Sequence, residues 1–272
     1  MGTGLRPEDK AKKDNAYQLP RIGFFNDTER DAVKGAEVYG GIKAGFVSGQ
    51  ATEDIVAKSI LGSSELGSYL SPDQVLNYVE AHDNFNLHDL LAELHPDDDV
   101  LTRTKRIELA TAMNLLMQGM AFMELGQEFS RTKLVATGED GQVLHSDRER
   151  AMNSYNAPDA VNQVNWDILQ DHQESIDFIK DIIRLKTSCK AFSYQTYEDI
   201  YKHVFVQSAE QGSGLIIFEI KDDKHYQVIF NASGLPYYLP NADKLRLIVG
   251  NSRHKKPFYV ENLTVSVFEV IQ

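Results

Sequence analysis

Side chains capable of chemistry follow a short strand-like run towards the end of the first third of the chain. Residues 76–80 (Leu-Asn-Tyr-Val-Glu) lead directly into His82, Asp83 and Asn84. A carboxylate beside an imidazole suits stabilisation of developing positive charge, general acid–base catalysis or one corner of a metal site. A structural interpretation is equally open, because Asp83 or Asn84 would cap a helix that begins near Asn86. His82 would then be a structural histidine.

A second group of candidate ligands consists of His88 and the run His95-Pro-Asp-Asp-Asp99. An aspartate run after proline is more typical of a solvated turn and a helix N-cap, and the Asx and glycine spacing of a calcium loop does not occur. The nucleophile elbow, the P-loop and the dinucleotide-binding glycine pattern do not occur either. We therefore predict no metal site and no cofactor.

Three short segments have the character of buried strands, and each ends in polar residues: 22–25, 76–80 and 121–125. Between the last two, apolar residues recur at helical spacing over 104–118, and Gly119 is the predicted C-cap. A strand–helix–strand unit of this kind forms a parallel sheet with a right-handed crossover. Because α/β barrels carry their active sites at the carboxyl ends of their strands, the polar residues after these strands are predicted at such an end.

The character of the chain changes towards its end. A helix is predicted over 174–186, and from Tyr197 onward strand-like runs alternate with Gly, Asp, Asn and Pro at hairpin spacing. This pattern predicts a small antiparallel β-sandwich over 193–272, after an α/β part over 1–192. A complete eight-stranded α/β barrel takes about 250 residues, so the first part has room for about three βα units only.

The composition excludes several classes of function. The 272 residues carry a formal charge of −12, which argues against nucleic-acid binding because phosphate contacts require clustered Lys and Arg. No apolar run approaches the ~20 residues of a membrane span, so no membrane partner is predicted. The single cysteine, Cys189, indicates a reducing compartment and hence a cytoplasmic location, and we expect it to be a small buried residue at the end of a helix. A neutral substrate suits this charge best.

Four longer motifs run along the chain: FFNDTERDAVKG (24–35), VLNYVEAHDNFNLHDLL (75–91), MAFMELGQEFSRTK (120–133) and NSYNAPDAVNQVNWD (153–167). Their order and spacing resemble those of the type I pullulanases, which are starch-debranching members of the α-amylase clan of glycoside hydrolases. The resemblance covers nearly the whole chain. It implies strands six to eight of a TIM-type (β/α)8 barrel followed by the β-sandwich, and an activity that hydrolyses α-1,6 branches of pullulan, amylopectin or glycogen with retention of configuration.

The resemblance also implies roles for individual residues. It makes Asp83 the transition-state-stabilising carboxylate, which holds hydroxyls of the sugar ring at the scissile bond, and His82 a donor to the same ring. Residues 76–80 and 121–125 become the seventh and eighth barrel strands. For Tyr155, a loop-anchoring aromatic is the alternative to sugar stacking. The substrate-binding residues that the resemblance nominates are Asn84, Arg131, Asn153, Tyr155 and Asp159.

Two motifs of that family do not occur in this sequence: the Phe-Arg-x-Asp that carries the nucleophile and the Gly-Glu-Gly-Trp that carries the general acid. Residues 1–20 resemble the segment that follows the second of them. A retaining glycosidase needs both carboxyl groups, so we predict that this chain alone does not hydrolyse glucan. His88 stands where many relatives carry Trp or Asn, which alters one predicted subsite contact.

Two other functions are kept as alternatives. One is a non-catalytic α-glucan-binding or interaction protein that retained the sugar-facing loop, and the other is a half-barrel that a separate N-terminal chain completes. A three-stranded barrel remnant leaves an unpaired edge at 22–25 and exposes apolar surface, which favours a protein partner or self-association. The predicted small-molecule partner is a branched α-glucan or maltooligosaccharide.

Overall fold

The computed structural model describes residues 4–38, 41–252 and 258–271. None of the described helices combines the length and apolar character that crossing a bilayer requires. The helices are α1 (Asp27–Val33), α2 (Glu53–Ile60), α3 (Leu87–Leu94), α4 (Val100–Leu116), α5 (His145–Met152), α6 (Asp159–Asn162), α7 (Gln173–Ser188) and α8 (Tyr197–His203). The strands are β1 (Phe24–Phe25), β2 (Gly35–Val38), β3 (Gly41–Ala44), β4 (Val75–Asn77), β5 (Met120–Ala121), β6 (Val204–Ser208), β7 (Leu215–Lys221), β8 (His225–Asn231), β9 (Tyr237–Tyr238), β10 (Leu245–Gly250), β11 (Tyr259–Val260) and β12 (Thr264–Val270).

Three short strands form a parallel sheet in the order β1–β4–β5, so that β4 is the middle strand. The sequence predicts all three, although as longer runs. β4 ends at Asn77 because the next amide, that of Tyr78, donates to the Glu29 carboxylate at 3.2 Å instead of to a neighbouring strand. The polar residues that follow β4 therefore leave the sheet at its carboxyl end.

Helix α4 lies between β4 and β5 in the chain, as the apolar spacing over 104–118 predicts, and it begins one turn earlier. Asp99 caps it by accepting the Thr102 amide at 2.7 Å, which confirms the N-cap predicted for the aspartate run. The predicted C-cap at Gly119 is wrong, because the helix already ends at Leu116 and the next residue is extended. The apolar periodicity therefore predicted the helix correctly, whereas the glycine at position 119 predicted its C-terminal end wrongly.

Helix α7 confirms the helix predicted over 174–186 and extends a little beyond it at both ends. Cys189 follows as its C-cap, in the predicted position at the end of the helix. The thiol is half-buried rather than fully buried, and its Sγ lies 3.5 Å from the Tyr226 hydroxyl of β8. Cys189 therefore lies where α7 meets the antiparallel strands.

Five antiparallel strands form a second sheet in the order β10–β12–β8–β7–β6. Successive side chains alternate between its faces: Ile216 and Phe218 belong to the main core, whereas Ile217 packs with Val260 of the two-stranded β9–β11 sheet. The antiparallel part predicted from hairpin spacing is therefore present. Gln272, the final residue of the last predicted strand, lies outside the described residues.

The main hydrophobic core is continuous across the predicted boundary at 192/193. It extends from Ala32 in α1, through α4 and α7, to Val267 in β12. A fully buried carboxylate adds a polar link, since Glu53 of α2 accepts the amides of Gly212 at 3.0 Å and Gly214 at 2.7 Å. The division into 1–192 and 193–272 stays a prediction, and the two parts share their packing.

Candidate active site

The His82–Asp83 pair lies just beyond the carboxyl end of β4. Both side chains are exposed, at 59% for His82 and 69% for Asp83, and His82 Nε2 is 3.6 Å from Asp83 Oδ1. Neither side chain is buried in apolar packing. The carboxylate and the imidazole are therefore presented together to solvent, where one ligand can contact both.

The N-terminus of α3 is held by a residue that precedes the pair. The Leu87 amide donates to Glu80 Oε2 at 2.8 Å, while Asn86, the N-cap residue, makes no side-chain capping bond. Within the ranges that the structure describes, the Asp83 carboxylate makes no hydrogen bond to α3. The structural interpretation in which Asp83 or Asn84 caps this helix is therefore wrong, and the exposed pair is left available for binding.

Asn84 turns the chain between the pair and α3. It adopts a left-handed backbone conformation with a φ of 68°, which asparagine tolerates better than most residues. With the amide oriented to satisfy its neighbours, Nδ2 donates to Glu37 Oε2 at 3.1 Å and Oδ1 accepts from Arg30 Nη1 at 3.0 Å. Asn84 is thus engaged on the protein side of the turn, and its predicted contact with substrate stays a prediction.

The loop after α5 is brought against the pair by backbone contacts. The Ser154 amide donates to the His82 carbonyl at 3.2 Å, and Asp83 and Asn153 form an isolated antiparallel bridge. The loop is also bonded to itself, since Asn162 Nδ2 donates to the Ser154 carbonyl at 2.7 Å. Two segments that are far apart in the sequence are therefore neighbours at the site.

Tyr155 and Asp159 lie in the same loop and are exposed. The Tyr155 side chain is 67% exposed, and Asp159 occupies the first position of α6. A ring this exposed does not anchor the loop by packing, which disfavours the structural alternative for Tyr155. Exposed amphipathic rings of this kind suit stacking on a sugar face. The sugar contacts of both residues, like that of Asn153, stay predictions.

Arg131 lies beneath this loop and is only 7% exposed. Its Nη1 donates to the Leu125 carbonyl at 3.1 Å, and its Nη2 donates to the Asn162 carbonyl. The observed contacts of the guanidinium therefore support the loop from inside the protein. The predicted contact between Arg131 and substrate stays a prediction.

A group of buried charged side chains lies near the turn, and no pattern in the sequence singled it out. Lys133 Nζ bonds Glu124 Oε1 at 2.6 Å. Burial raises the pKa of the Glu80 carboxyl to about 8, against opposing attraction from Lys34 and Lys133. Burial likewise lowers the pKa of the Lys34 amine. The sequence shows each of these charged residues, but it does not reveal which of them meet in the folded protein.

The aspartate run after His95 is engaged in structural contacts. Asp98 Oδ2 accepts from Arg106 Nε at 2.7 Å, and Asp99 caps α4. Burial lowers the pKa of the His95 imidazole. Over residues 4–38, 41–252 and 258–271, no group of three or more His, Cys, Asp or Glu side chains is placed to hold a metal ion.

Sequence comparison identifies relatives of known kind. No protein-family model matches the chain. The pullulanase of Bacillus subtilis (strain 168) is 33% identical over 262 residues, covering 91% of this chain and 34% of that protein. Pullulanase A of Streptococcus pneumoniae serotype 4 is 26% identical over 239 residues, covering 77% of this chain and 19% of that protein. The chain thus spans about a third or less of the length of these curated relatives.

Solved structures agree with the sequence relatives. The pullulanase of Anoxybacillus sp. LM18-11 complexed with maltotetraose matches with a TM-score of 0.83 at 31% identity, over 99% of this chain and 38% of that one. The type I pullulanase of Bacillus subtilis str. 168 complexed with maltose matches with a TM-score of 0.80 at 30% identity, over 99% and 38% of the two chains. The chain belongs to the type I pullulanase family of glycoside hydrolases and corresponds to the C-terminal portion of its members.

Proposed function

We propose that this chain supplies the transition-state-stabilising carboxylate of a debranching enzyme, which hydrolyses α-1,6-glucosidic branches in pullulan, amylopectin or glycogen with retention. The observation that carries the proposal is the exposed His82–Asp83 pair at the carboxyl end of β4, bridged to Asn153. In this proposal β1, β4 and β5 are strands six, seven and eight of a TIM-type barrel. The antiparallel strands form the β-sandwich that follows the barrel.

The proposed chemistry follows from the charge of the pair. As the glycosidic bond breaks, the sugar ring acquires oxocarbenium character, and the fixed carboxylate of Asp83 stabilises that positive charge and accepts bonds from ring hydroxyls. His82 donates to the same ring. Tyr155 offers a ring face for stacking, and Asn153 offers an amide for hydroxyls. The nucleophile and the general acid are contributed by groups outside this sequence.

The first test is hydrolysis by the purified chain. We expect no release of reducing ends from pullulan, because the Phe-Arg-x-Asp and Gly-Glu-Gly-Trp motifs do not occur in the sequence and Asp83 alone cannot act as both nucleophile and acid. An Asp83→Ala preparation, purified in parallel, controls for host enzymes. Release that is present with the unaltered chain and lost in the variant contradicts the prediction.

Glucan binding is the second arm of the same test. The structural neighbours are complexed with maltotetraose and with maltose, which supports an α-glucan as the ligand. We expect the unaltered chain to bind a maltooligosaccharide with one α-1,6 branch saturably in calorimetry. If it shows no binding up to the solubility of the sugar, the chain does not carry a glucan site by itself.

A separate observation favours completion by another polypeptide. Phe25 of β1, Leu76 of β4 and Met120 of β5 lie side by side in register, with Phe25 and Met120 47% and 41% exposed. This open apolar face, together with the outer edges of β1 and β5, suits a protein partner. In the second candidate function, a separate chain or a second copy covers it.

Self-association through this face is directly measurable. We expect light scattering to give a mass above that of the 30.7 kDa monomer, and Phe25→Ser to shift the mass towards the monomer, because the substitution removes an aromatic anchor from the open face. Tyr201→Ser, which removes an exposed aromatic elsewhere, is the matched control. A monodisperse 30.7 kDa species for the unaltered chain argues against self-association.

A further inference from the structure

The turn that carries Asp83 is held by two side chains from another part of the chain. Phe85, two residues after Asp83, donates its amide to Glu37 Oε1 at 2.7 Å, and its carbonyl accepts from Lys34 Nζ at 2.5 Å. Lys34 directly precedes β2, and Glu37 lies within it. Both backbone polar groups of one turn residue are therefore satisfied by side chains of the β2 segment.

The same carboxylate acts on the neighbouring residue. Glu37 Oε2 accepts from Asn84 Nδ2 at 3.1 Å, and Arg30 Nη1 donates to Asn84 Oδ1 at 3.0 Å. Arg30 is itself held, because its Nε donates to Asp31 at 2.7 Å and its Nη1 donates to the Tyr78 hydroxyl at 2.6 Å. The two residues that directly follow Asp83 are thus restrained at four polar atoms.

The arrangement is energetically unusual for a residue that serves packing alone. Lys34 is fully buried, and burial lowers the pKa of its amine, while Glu37 and Glu80 partly oppose that effect. Replacing buried charges by apolar side chains of similar volume is often neutral or stabilising. A buried lysine directed at one backbone carbonyl therefore points to a requirement for the shape of the turn.

We propose that Lys34 and Glu37 form a clamp pair, two positioning residues that hold the turn so that Asp83 and His82 project towards the ligand. The consequence for glucan binding rests on the proposed function, whereas the effect on the turn does not. Neither residue contacts substrate in this proposal. Their role is to restrict where the Asp83 carboxylate can be.

The effect on the turn is tested with Glu37→Ala, Glu37→Gln and Lys34→Met, each checked by thermal unfolding to be folded. Amide hydrogen exchange and the Asp83 carboxyl ¹³C resonance are read by NMR. We expect exchange at the Phe85 amide to become about tenfold faster in Glu37→Ala, and the Asp83 resonance to move. Glu37→Gln keeps an acceptor oxygen and should retain most of the protection.

A matched control comes from the same hairpin. Lys43 is exposed on β3, and within the described residues it makes no hydrogen bond to the turn. Lys43→Met should leave the exchange at Phe85 and the Asp83 resonance unchanged. If Lys34→Met behaves like Lys43→Met and Glu37→Ala leaves both signals unchanged, the clamp pair does not position the turn and the inference is overturned.

The consequence for the ligand is tested by a double-mutant cycle with a singly branched maltooligosaccharide, followed by NMR titration. We expect Glu37→Ala to weaken binding about fivefold when Asp83 is present and to have little effect in an Asp83→Asn background, because Glu37 acts through Asp83. Equal losses in both backgrounds would show a merely structural role and overturn the inference. If the unaltered chain binds no sugar, the proposed function fails, and the exchange data alone decide the inference about the turn.

Discussion

Replacing Asp83 with alanine should weaken binding of a singly branched maltooligosaccharide at least about tenfold. A hydrogen bond from a ligand hydroxyl to a charged group contributes about 1.5–3 kcal/mol, which corresponds to a factor of about 10 to 150 in affinity. The carboxylate is 69% exposed, so it is available to the ligand, and its removal leaves no buried cavity. Isothermal titration calorimetry of the folded variant measures the change.

An exposed aspartate outside the site provides the control. Asp243 lies in the turn before β10, and Asp243→Ala should bind the sugar as the unaltered chain does. An affinity that survives Asp83→Ala undiminished would place the sugar elsewhere on the protein. It would also remove the main support for assigning Asp83 to the site.

A charged ligand distinguishes general sugar binding from stabilisation of positive charge. A maltosyl iminosugar that is cationic at neutral pH imitates the charge of the oxocarbenium-like ring. We expect Asp83→Asn to weaken binding of this cationic ligand about tenfold more than it weakens binding of the neutral sugar. Asparagine keeps the hydrogen bonding but removes the negative charge. Equal losses for the two ligands would mean that Asp83 only bonds hydroxyls.

The second large effect concerns Glu29, a buried acid of α1. Its side chain is fully buried, Oε2 accepts the Tyr78 amide at 3.2 Å, and desolvation raises its pKa from an ordinary 4.5 to about 8. Between these values the folded protein keeps a proton that the unfolded chain releases. Stability contributed by Glu29 is therefore fully present below about pH 4.5 and is lost as the pH rises through 8.

Glu29→Gln should remove this pH dependence, because glutamine is neutral throughout and keeps an acceptor for the Tyr78 amide. We expect little change in the free energy of unfolding at pH 4.5 and a gain of several kcal/mol, at most about 5, above pH 8. Urea unfolding of the unaltered chain and the variant at both pH values measures this change in the free energy of unfolding. Glu198→Gln, at an exposed position of α8, is the control. A gain that is the same at both pH values would show that Glu29 is ionised in the folded protein.

Local patterns account for the elements that the sequence predicts well. The apolar spacing over 104–118 and 174–186 located α4 and α7, because a helical face repeats within a few residues and needs no knowledge of distant contacts. The antiparallel strands were located for the same reason, through alternation and hairpin turns. The placement of His82 and Asp83 after β4 followed from their direct succession to a strand-like run.

The hairpin of β2 and β3 shows what local pattern missed. The hairpin is short and follows α1 closely, and its residues lack the alternating apolar pattern that would predict strands. The strands of the parallel sheet were also predicted too long. β4, for example, ends where the Tyr78 amide donates a hydrogen bond to the carboxylate of Glu29, which is far away in the sequence. A residue's own neighbours cannot indicate such a competing partner.

Residue types and local periodicity identify the candidate residues for chemistry and predict that they follow a strand, because both are properties of neighbouring positions. What surrounds these residues depends on tertiary contacts: the bridge from Asp83 to Asn153, the bond from the Leu87 amide at the start of α3 to the Glu80 carboxyl, and the bonds that Lys34 and Glu37 make to Phe85. Except for the bond between Leu87 and Glu80, these contacts join segments far apart in the chain. They form because packing buries backbone groups that must then find partners, and which side chain can reach them depends on the folded arrangement of all the elements.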